Sequence, residues 1–368
     1  MSTSATAIRF PCAGCGGPMI FDSDSQHMKC QYCDAEQEID NVLSQPVEHP
    51  FHGSIDTPAE LLDWGTEQKT IHCESCGGET LIPVGQTTVT CIFCNSPKVL
   101  EQDQMQTIRP ETLIPFQISS DKALRSFAAW KKKRWFLPNK FKRMNVSSQL
   151  HSIYIPYWTY DTESYSVYRA ERGVYHYRTV PRTRVVNGKS ETVMVQERYT
   201  VWNWVNGEYD RAFDDILIPA SGHYNQNMLE RLGDFDLRNL VPYKPDYLSG
   251  YVSERYSVSR EQGWDKAQSK ADDQLRDEIR RRIGGDEVRN LRVRTNYNDV
   301  TYKHLLLPVW NANYTYKTKQ YYYMVNGQTG TVSGHVPRSP LKITLFTLFC
   351  LAVAGVLLWF YLNQQQPM

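Results

Sequence analysis

Eight of the nine cysteines in this chain fall in two copies of one pattern. In each copy a Cys-x₂-Cys pair is followed, after fourteen residues, by a second Cys-x₂-Cys pair. The two sets are Cys12, Cys15, Cys30 and Cys33, and Cys73, Cys76, Cys91 and Cys94. Each cysteine of the second set lies 61 positions after its counterpart, and Gly16-Gly17 recurs as Gly77-Gly78. Four thiolates from two such knuckles satisfy the tetrahedral preference of Zn²⁺, so the pattern predicts two structural zinc ribbons with one ion each.

Two other readings of the cysteines stay open. Disulfide bonds need an oxidising compartment, whereas residues 1–10 are short and polar and do not resemble a secretory signal. A single-iron site of the rubredoxin type is chemically possible, but such sites usually have a longer spacer between the knuckles. With four sulfur ligands the coordination shell is closed. We therefore expect each ion to stabilise a small module and not to catalyse a reaction.

The C-terminal end predicts a transmembrane helix. Residues 343–362 are twenty consecutive residues without a charge, and a helix of that length spans about 30 Å, the thickness of a bilayer's hydrocarbon core. Arg338 and Lys342 precede this segment, while the tail at 363–368 carries no basic residue. The positive-inside rule then places the N-terminal domains in the cytoplasm, at the inner membrane. Cys350, the ninth cysteine, lies within the segment.

Charge is distributed unevenly along the chain. Residues 1–100 contain four basic and thirteen acidic residues, although the whole chain has a formal net charge of only +1. Two Cys₄–Zn²⁺ centres would add further negative charge. Ribbons this acidic repel phosphates, which argues against nucleic acid as a partner. We expect them to dock on a basic protein surface, either of a partner or of the chain's own second half.

The fold class expected is α+β, with two small Cys₄ ribbons, a β-rich cytoplasmic body for which an internal duplication is predicted, and one C-terminal transmembrane helix. Tyrosine-rich alternating runs predict the strands, and Asn187-Gly188, Asn206-Gly207 and Asn326-Gly327 predict hairpin turns. The expected segments are ribbon 1 at 1–40, a linker with a short helix (57–65) at 41–68, ribbon 2 at 69–100, the body at 105–337 with a possible repeat of 108–210 in 211–337, the membrane helix at 343–362, and a tail at 363–368.

Two amphipathic helices are predicted within the body. Residues 120–135 place Leu124, Phe127, Ala128 and Trp135 on one face. Ser259 and Gln262 form a capping box for a second helix, which ends at Gly284-Gly285. Its predicted apolar stripe is Trp264, Ala267, Ala271, Leu275, Ile279 and Ile283.

One basic segment suggests a lipid or partner surface. Residues 131–143 hold seven positive charges and no negative one. These residues are Lys131, Lys132, Lys133, Arg134, Lys140, Lys142 and Arg143. Basic and aromatic residues together bind nucleic acid or anionic lipid, and a chain held at the membrane favours lipid. The alternative is a solvated helix end whose aromatic residues pack inward.

Several stretches of the chain carry a likeness to known proteins, among them RWFLPNKFKR, IYIPYWTYDTESY, AFDDILIPAS and TYKHLLLPVWNANYTYKTKQYYYMVNGQTGTVSGHVPRSPLKI. They resemble a family of bacterial proteins with N-terminal zinc ribbons and a C-terminal membrane segment, and the likeness covers nearly the whole chain. Members are often named "primosomal protein N-prime (replication factor Y), superfamily II helicase". Some are encoded beside phage-shock-protein-A-like and flotillin-like (SPFH) membrane-stress proteins, and the resemblance implies such partners here.

The sequence does not support a helicase motor. The only Gly-Lys-Ser is Gly188-Lys189-Ser190, and Thr183 stands where a phosphate-binding loop needs its first glycine. Nucleophile-elbow, zinc-protease and dinucleotide-binding motifs are also absent from the sequence. We expect a non-enzymatic, membrane-anchored adaptor; the alternatives are a nucleic-acid-associated zinc-ribbon protein without a motor and an enzyme with a new active site.

Overall fold

The computed structural model describes residues 10–40, 48–51, 68–83, 91–93, 96, 99–102, 108–144, 150–186, 189–233, 235–317 and 319–364. Five α-helices lie in these ranges: α1 (Ser120–Lys133), α2 (Asn139–Arg143), α3 (Gln226–Glu230), α4 (Arg260–Ile283) and α5 (Pro340–Gln364). The described strands are β1 (Met19–Asp22), β2 (His27–Cys30), β3 (Glu36–Gln37), β4 (His49–Pro50), β5 (Gln68–Cys73), β6 (Glu79–Pro83), β7 (Val99–Gln102), β8 (Thr112–Leu113), β9 (Leu150–Val186), β10 (Lys189–Pro219), β11 (Val241–Pro242), β12 (Val252–Glu254), β13 (Glu287–Tyr316), β14 (Lys319–Asn326) and β15 (Val332–Gly334). The predicted β-rich α+β fold is confirmed.

Three long antiparallel strands organise the body. β9 lies between β10 and β13, and it pairs with β10 as far as the Val186–Lys189 pair and with β13 as far as the Gly173–Glu287 pair. Beyond Gly173, β9 and β10 therefore continue as a two-stranded arm in the described part of the chain. The strands of ribbon 2 extend the same sheet, because β6 pairs with β12 and β12 pairs with β9. Ribbon 1 forms its own sheet of β1, β2 and β3.

The helix α4 covers one face of the three long strands. Its capping box between Ser259 and Gln262 is present, and Gly284 follows its last turn with a φ of 65°. All six predicted stripe residues, from Trp264 to Ile283, are buried. They pack against alternate residues of β9, β10 and β13 and form one of three apolar cores. Both the helix and its buried face are therefore confirmed.

The predicted face of the first helix is partly wrong: Phe127 is buried and Leu124 is half-buried, but the other two residues are not. The buried residues of α1 are Ala123, Phe127 and Lys131, whereas Ala128 and Trp135 are exposed. Lys131 occupies a core position because its ammonium group donates a hydrogen bond to the Met144 carbonyl at 2.8 Å. Helical periodicity predicts an apolar residue at this buried position, but the position is occupied by a lysine whose ammonium group is hydrogen-bonded.

The predicted turn at Asn206-Gly207 is also wrong. Both residues continue β10, paired with Arg169 and Tyr168. A Cβ atom on Gly207 would lie 2.5 Å from the Tyr168 hydroxyl oxygen, so the glycine makes room for a ring across the strands and not for a turn. The turn after Asn326 is present but wider than two residues, since the Asn326 amide bonds to the Thr331 carbonyl.

Three predictions about the organisation of the chain stay predictions: the short linker helix, one hairpin turn and the duplication. The short helix at 57–65 and the turn at Asn187-Gly188 lie outside the described residues. β10 runs continuously through position 210, where the predicted repeat divides, and the duplication stays a prediction.

Candidate metal centre

The first cysteine set converges on one point. Cys12, Cys15, Cys30 and Cys33 offer sulfur atoms that all lie within 4.8 Å of one another. The Sγ atoms of Cys12 and Cys33 are 3.5 Å apart, and those of Cys15 and Cys30 are 3.4 Å apart. Tetrahedral coordination with zinc–sulfur bonds of about 2.3 Å requires sulfur atoms about 3.8 Å apart. The four side chains therefore fit a divalent ion with little movement.

Backbone amides prepare the buried thiols for ionisation. The amides of Cys15 and Gly14 lower the pKa of Cys12, and those of Tyr32 and Cys33 lower the pKa of Cys30 to about 6. The Ala35 amide lowers the pKa of Cys33, but hydrogen bonds between its thiol group and the sulfur atoms of Cys15 and Cys12 outweigh that effect and raise this pKa to about 12. A bound cation favours the ionised form of all four sulfur atoms.

The second cysteine set shows the same geometry as far as it is described. Cys73, Cys76 and Cys91 cluster within the same 4.8 Å limit, and Cys94 lies outside the described residues. The Sγ atoms of Cys76 and Cys91 are 3.7 Å apart. Two cysteine clusters near the N-terminus can thus bind metal, as predicted, while the identity of the ion stays a prediction.

An aromatic residue in each ribbon explains the second glycine of each Gly-Gly pair. A Cβ atom on Gly17 would lie 2.5 Å from the Tyr32 ring, and one on Gly78 would lie 2.3 Å from the Phe93 ring. Each ring stands two residues after the third cysteine of its set. Gly16 and Gly77 have φ angles of 71° and 72°, which only glycine adopts without strain. The aromatic position was visible in the sequence at the same 61-residue offset but was not recognised.

Both ribbons rest on the body. In ribbon 1 the Phe21 ring packs against Tyr247 at 5.2 Å, and the Ser249 hydroxyl donates to the Met19 carbonyl at 2.8 Å. In ribbon 2 the side-chain amide of Asn311 donates to the Ile92 carbonyl at 2.9 Å. The ribbons are therefore built into the described structure and do not hang from it as separate modules.

Ribbon 1 nevertheless keeps an acidic surface open to solvent. Asp34, Glu36, Glu38 and Asp40 are all exposed, and Tyr32 beside them is 78% exposed. Lys29 lies 3.5 Å from Asp34, and such an exposed pair contributes little. We refer to Asp34, Glu36, Glu38 and Asp40 as the acidic strip.

The basic segment lies where α5 begins. The Lys342 ammonium group donates to the Leu137 carbonyl at 2.8 Å and to the Asn139 side chain at 2.7 Å. The rings of Trp135 and Phe136 face the ring of Phe346 at 5.8 and 5.5 Å. Of the seven basic residues predicted as a patch, Lys132, Lys133, Arg134, Lys140 and Arg143 are exposed and Lys142 is half-buried.

Lys131 does not belong to that surface. Its side chain is 6% exposed, and its ammonium group lies over the rings of Phe127 and Phe141 at 5.1 and 5.4 Å. Burial lowers its pKa. The prediction that Lys131 offers its charge to a lipid or a partner is wrong, because the helix turns this residue into the core.

The helix α5 is long and apolar enough to cross a membrane by length and composition. The span Pro340–Tyr361 has a mean hydropathy of 2.4, and none of it is buried inside the protein.

A second charged cluster lies within the body, and sequence reasoning missed it. The buried Lys303 ammonium group lies 3.0 Å from Asp215, 3.2 Å from Glu48 and 3.6 Å from Asp161. Desolvation raises the pKa of Asp161 to about 6, although the Asp215 amide and Lys303 act against it. No sequence signal joins these residues: Glu48 directly precedes β4, and the other three lie on β9, β10 and β13.

Comparison with known proteins gives one distant relative. The chain is 26% identical over 337 residues to "Uncharacterized protein YdjG" of Bacillus subtilis (strain 168), in an alignment that covers 91% of this chain and 92% of that protein. No protein-family model matches the chain. No solved structure matches it either.

Proposed function

We propose that this chain is a membrane-anchored zinc-ribbon adaptor that recruits a basic cytoplasmic protein to the inner membrane. The observation that carries the proposal is the combination, in one chain, of an exposed apolar helix with two cysteine clusters and an exposed acidic strip. In this proposal two Zn²⁺ ions, held by the eight cysteines, shape the ribbons, and no catalytic step takes place. Flotillin-like or phage-shock-protein-A-like proteins are the proposed partners.

The surroundings of α5 support the orientation. Arg338 and Lys342 stand at its start, and the exposed basic residues of 132–143 lie beside the same end. Positive charge at one end of a membrane helix favours the cytoplasmic side. Trp135 packs against Phe346 beside this end of α5, and the amphipathic ring of tryptophan prefers the lipid–water interface. The body is then held against the inner leaflet.

Neutralising the basic patch is expected to weaken binding to anionic lipid. The variant replaces Lys132, Lys133, Lys140 and Arg143 with glutamine in a fragment that ends at residue 338. Each basic residue near an anionic surface contributes about 1 kcal/mol, so four changes lower partitioning to phosphatidylserine vesicles by roughly two orders of magnitude or more. Vesicle co-sedimentation measures the partitioning.

The matched control removes the same charge elsewhere. It carries glutamine at Lys266, Lys270, Arg276 and Arg281 of α4. Equal partitioning of the two variants would show that lipid recognises net charge alone and would contradict a patch.

Reversing the acidic strip is expected to weaken recruitment. Full-length chain in vesicles is incubated with a purified phage-shock-protein-A-like or flotillin-like protein of the same organism, and partner bound after flotation is measured. The variant carries Glu36→Lys, Glu38→Lys and Asp40→Lys. Opposite charges attract a basic partner to the acidic strip, and the variant replaces that attraction with repulsion. We therefore expect roughly a tenfold loss of bound partner.

The matched control carries Asp265→Lys, Asp273→Lys and Asp277→Lys on α4, with the same change in net charge, and we expect it to recruit normally. If neither protein floats with wild-type vesicles, this choice of partners is refuted. Loss of the full chain from alkali-washed membranes would refute the anchor separately.

A further inference from the structure

One face of the three long strands is left uncovered within the described structure. α4 packs on the other face, and residues alternate between the two. The uncovered residues on β9 include Tyr165 and Val167, which are 37% and 46% exposed, and Trp204 on β10 is 57% exposed. We call this surface, on residues 163–171, 204–212 and 289–298, the open face. Apolar side chains on an exposed sheet face of this extent point to an interaction surface.

The open face has no net charge, but the charged residues that β13 contributes to it are all basic and those that β10 contributes are all acidic. Its four arginines are Arg169, Arg289, Arg292 and Arg294, and its four acidic residues are Glu163, Glu171, Glu208 and Asp210. Without a net positive charge, the face does not attract a phosphate polymer or an anionic bilayer.

Two groups of charges on the open face have no ion-pair partner among the described residues: Arg292 and Arg294 form a basic column on β13, and Glu208 and Asp210 form an acidic column on β10. Arg289 is paired with Glu171 at 2.6 Å, and the Arg169 guanidinium stacks on Trp204 at 4.4 Å. Among the described residues, no carboxylate lies within ion-pair distance of Arg292 or Arg294 on β13. Across β9, on β10, the carboxylates of Glu208 and Asp210 likewise face no described basic side chain within that distance.

The register places these columns on either side of Val167. Arg294 and Glu208 both pair with Val167, from β13 and β10 respectively. A two-fold axis parallel to β9 would turn a second copy so that its β13 lies over β10 of the first. Arg294 of each copy then faces Glu208 of the other. Arg292 lies one row to one side of this contact, over Asn206, and Asp210 lies one row to the other side, over Asn296. An axis across the strands would instead place arginines over arginines.

We propose that the open face binds the open face of a second copy of this chain, in a two-fold dimer whose axis runs along β9. Sheets pack face to face in this way with strands roughly aligned, and two-fold symmetry is the commonest form of self-association. Val167 and Tyr165 form the apolar centre, with an Arg294–Glu208 pair on each side of it and Arg292 and Asp210 as flanking charges. Stacking on Trp204 draws Arg169 away from the axis and limits repulsion between the two copies of this residue.

The same axis suits the membrane attachment proposed above, although the association itself does not depend on it. α5 begins beside α1 and α2, whose Phe127 and Phe141 stack on Tyr323 and Tyr314 near the start of β9. An axis along β9 therefore carries both copies of α5 at one end of the dimer. Both helices can then enter one bilayer while the arms beyond Gly173 extend away from it.

The test uses two variants that each repel themselves. One carries Arg292→Glu and Arg294→Glu, and the other carries Glu208→Arg and Asp210→Arg. Full-length chain in non-ionic detergent is measured by light scattering coupled to size exclusion, with a different tag on each variant. We expect the wild type to be a dimer. Each variant alone should have a dimer dissociation constant roughly a hundredfold higher, because like charges then face each other.

Mixing the two variants is the decisive measurement. Each basic column then meets an acidic column again, so we expect a heterodimer of about wild-type affinity that co-purifies through both tags. Should a reversal unfold the chain, Arg294→Gln and Glu208→Gln, expected to give a smaller loss, test the same contact.

Three results would overturn the proposal. They are a monomeric wild type, a β13 variant that dimerises normally, and folded variants that fail to associate when mixed. Fractionation of the wild type tests the anchor independently, so failure of the dimer is distinguishable from failure of membrane attachment.

Discussion

Replacing Cys30 with serine is expected to remove one of two metal ions per chain and to unfold the first ribbon. Cys30 is 1% exposed, and its sulfur atom belongs to the four-sulfur cluster. Structural zinc sites contribute about 10–16 kcal/mol of apparent binding free energy, whereas modules below about 40 residues have too little core to fold without such help. Elemental analysis should therefore fall from two ions to one.

The loss should remain local to the ribbon and the surface it covers. We expect amides of residues 10–40 to exchange hydrogen within the shortest labelling time. Amides near Tyr247 and Tyr251, which contact Phe21, should lose part of their protection. The buried face of α4 belongs to a separate core and should remain protected.

Two further variants make the result specific. Cys91→Ser should remove the other ion and leave residues 10–40 protected, whereas Cys350→Ser, on α5, should change neither. Retention of two ions by the Cys30 variant would contradict a structural role for this cluster. An ion other than zinc would contradict only the identity of the metal.

The parts of this molecule that sequence predicts are those specified by local pattern. The cysteine spacing placed the described members of both clusters, because ligands on two short knuckles converge without help from the rest of the fold. α4 was predictable for the same reason, since its capping box, apolar stripe and terminal glycine all lie within one segment. The length and composition of α5 follow from a single uncharged run.

Features that depend on contacts across the sheet were not predictable from one sequence. Asn206-Gly207 has the composition of a turn, yet Gly207 serves the Tyr168 ring on a neighbouring strand. Lysine is usually a surface residue, yet Lys131 lies in the core, where its ammonium group donates a hydrogen bond to the Met144 carbonyl. In both cases the deciding partner is distant in sequence or lies outside the periodic element, so the local pattern gives the wrong answer.

The cluster around Lys303 is the strongest example of this dependence. Its side chain is 8% exposed, and it comes within 4 Å of carboxylates from three different segments. These ion pairs raise the pKa of Lys303, against a desolvation effect that lowers it. A group whose folded pKa is raised stabilises the protein fully below its unfolded pKa and loses that contribution only as pH rises through the folded value. At neutral pH the full contribution of Lys303 is therefore present.

Replacing Lys303 with methionine is expected to lower the free energy of unfolding by about 3 kcal/mol, at the lower end of the range for breaking a buried ion pair, since Asp215 and Glu48 are partly exposed. For a body of this size that corresponds to an apparent Tm about 6–12 °C lower, measured by tryptophan fluorescence of the full chain in detergent. Lys319→Met, which removes an exposed strand lysine, should change Tm little.

The pH dependence of the Lys303→Met variant separates electrostatics from lost packing. Without the ammonium group the pKa of Asp161, already raised to about 6, should rise further. A carboxyl group whose folded pKa is raised costs stability as pH increases through the interval between its unfolded and folded values, and that cost disappears as pH falls. The free energy of unfolding that the variant loses relative to the wild type should therefore be larger at pH 7.5 than at pH 5. Asp161→Asn in the same chain should restore part of that loss. A deficit independent of pH and unaffected by Asp161→Asn would show that Lys303 acts only by filling space.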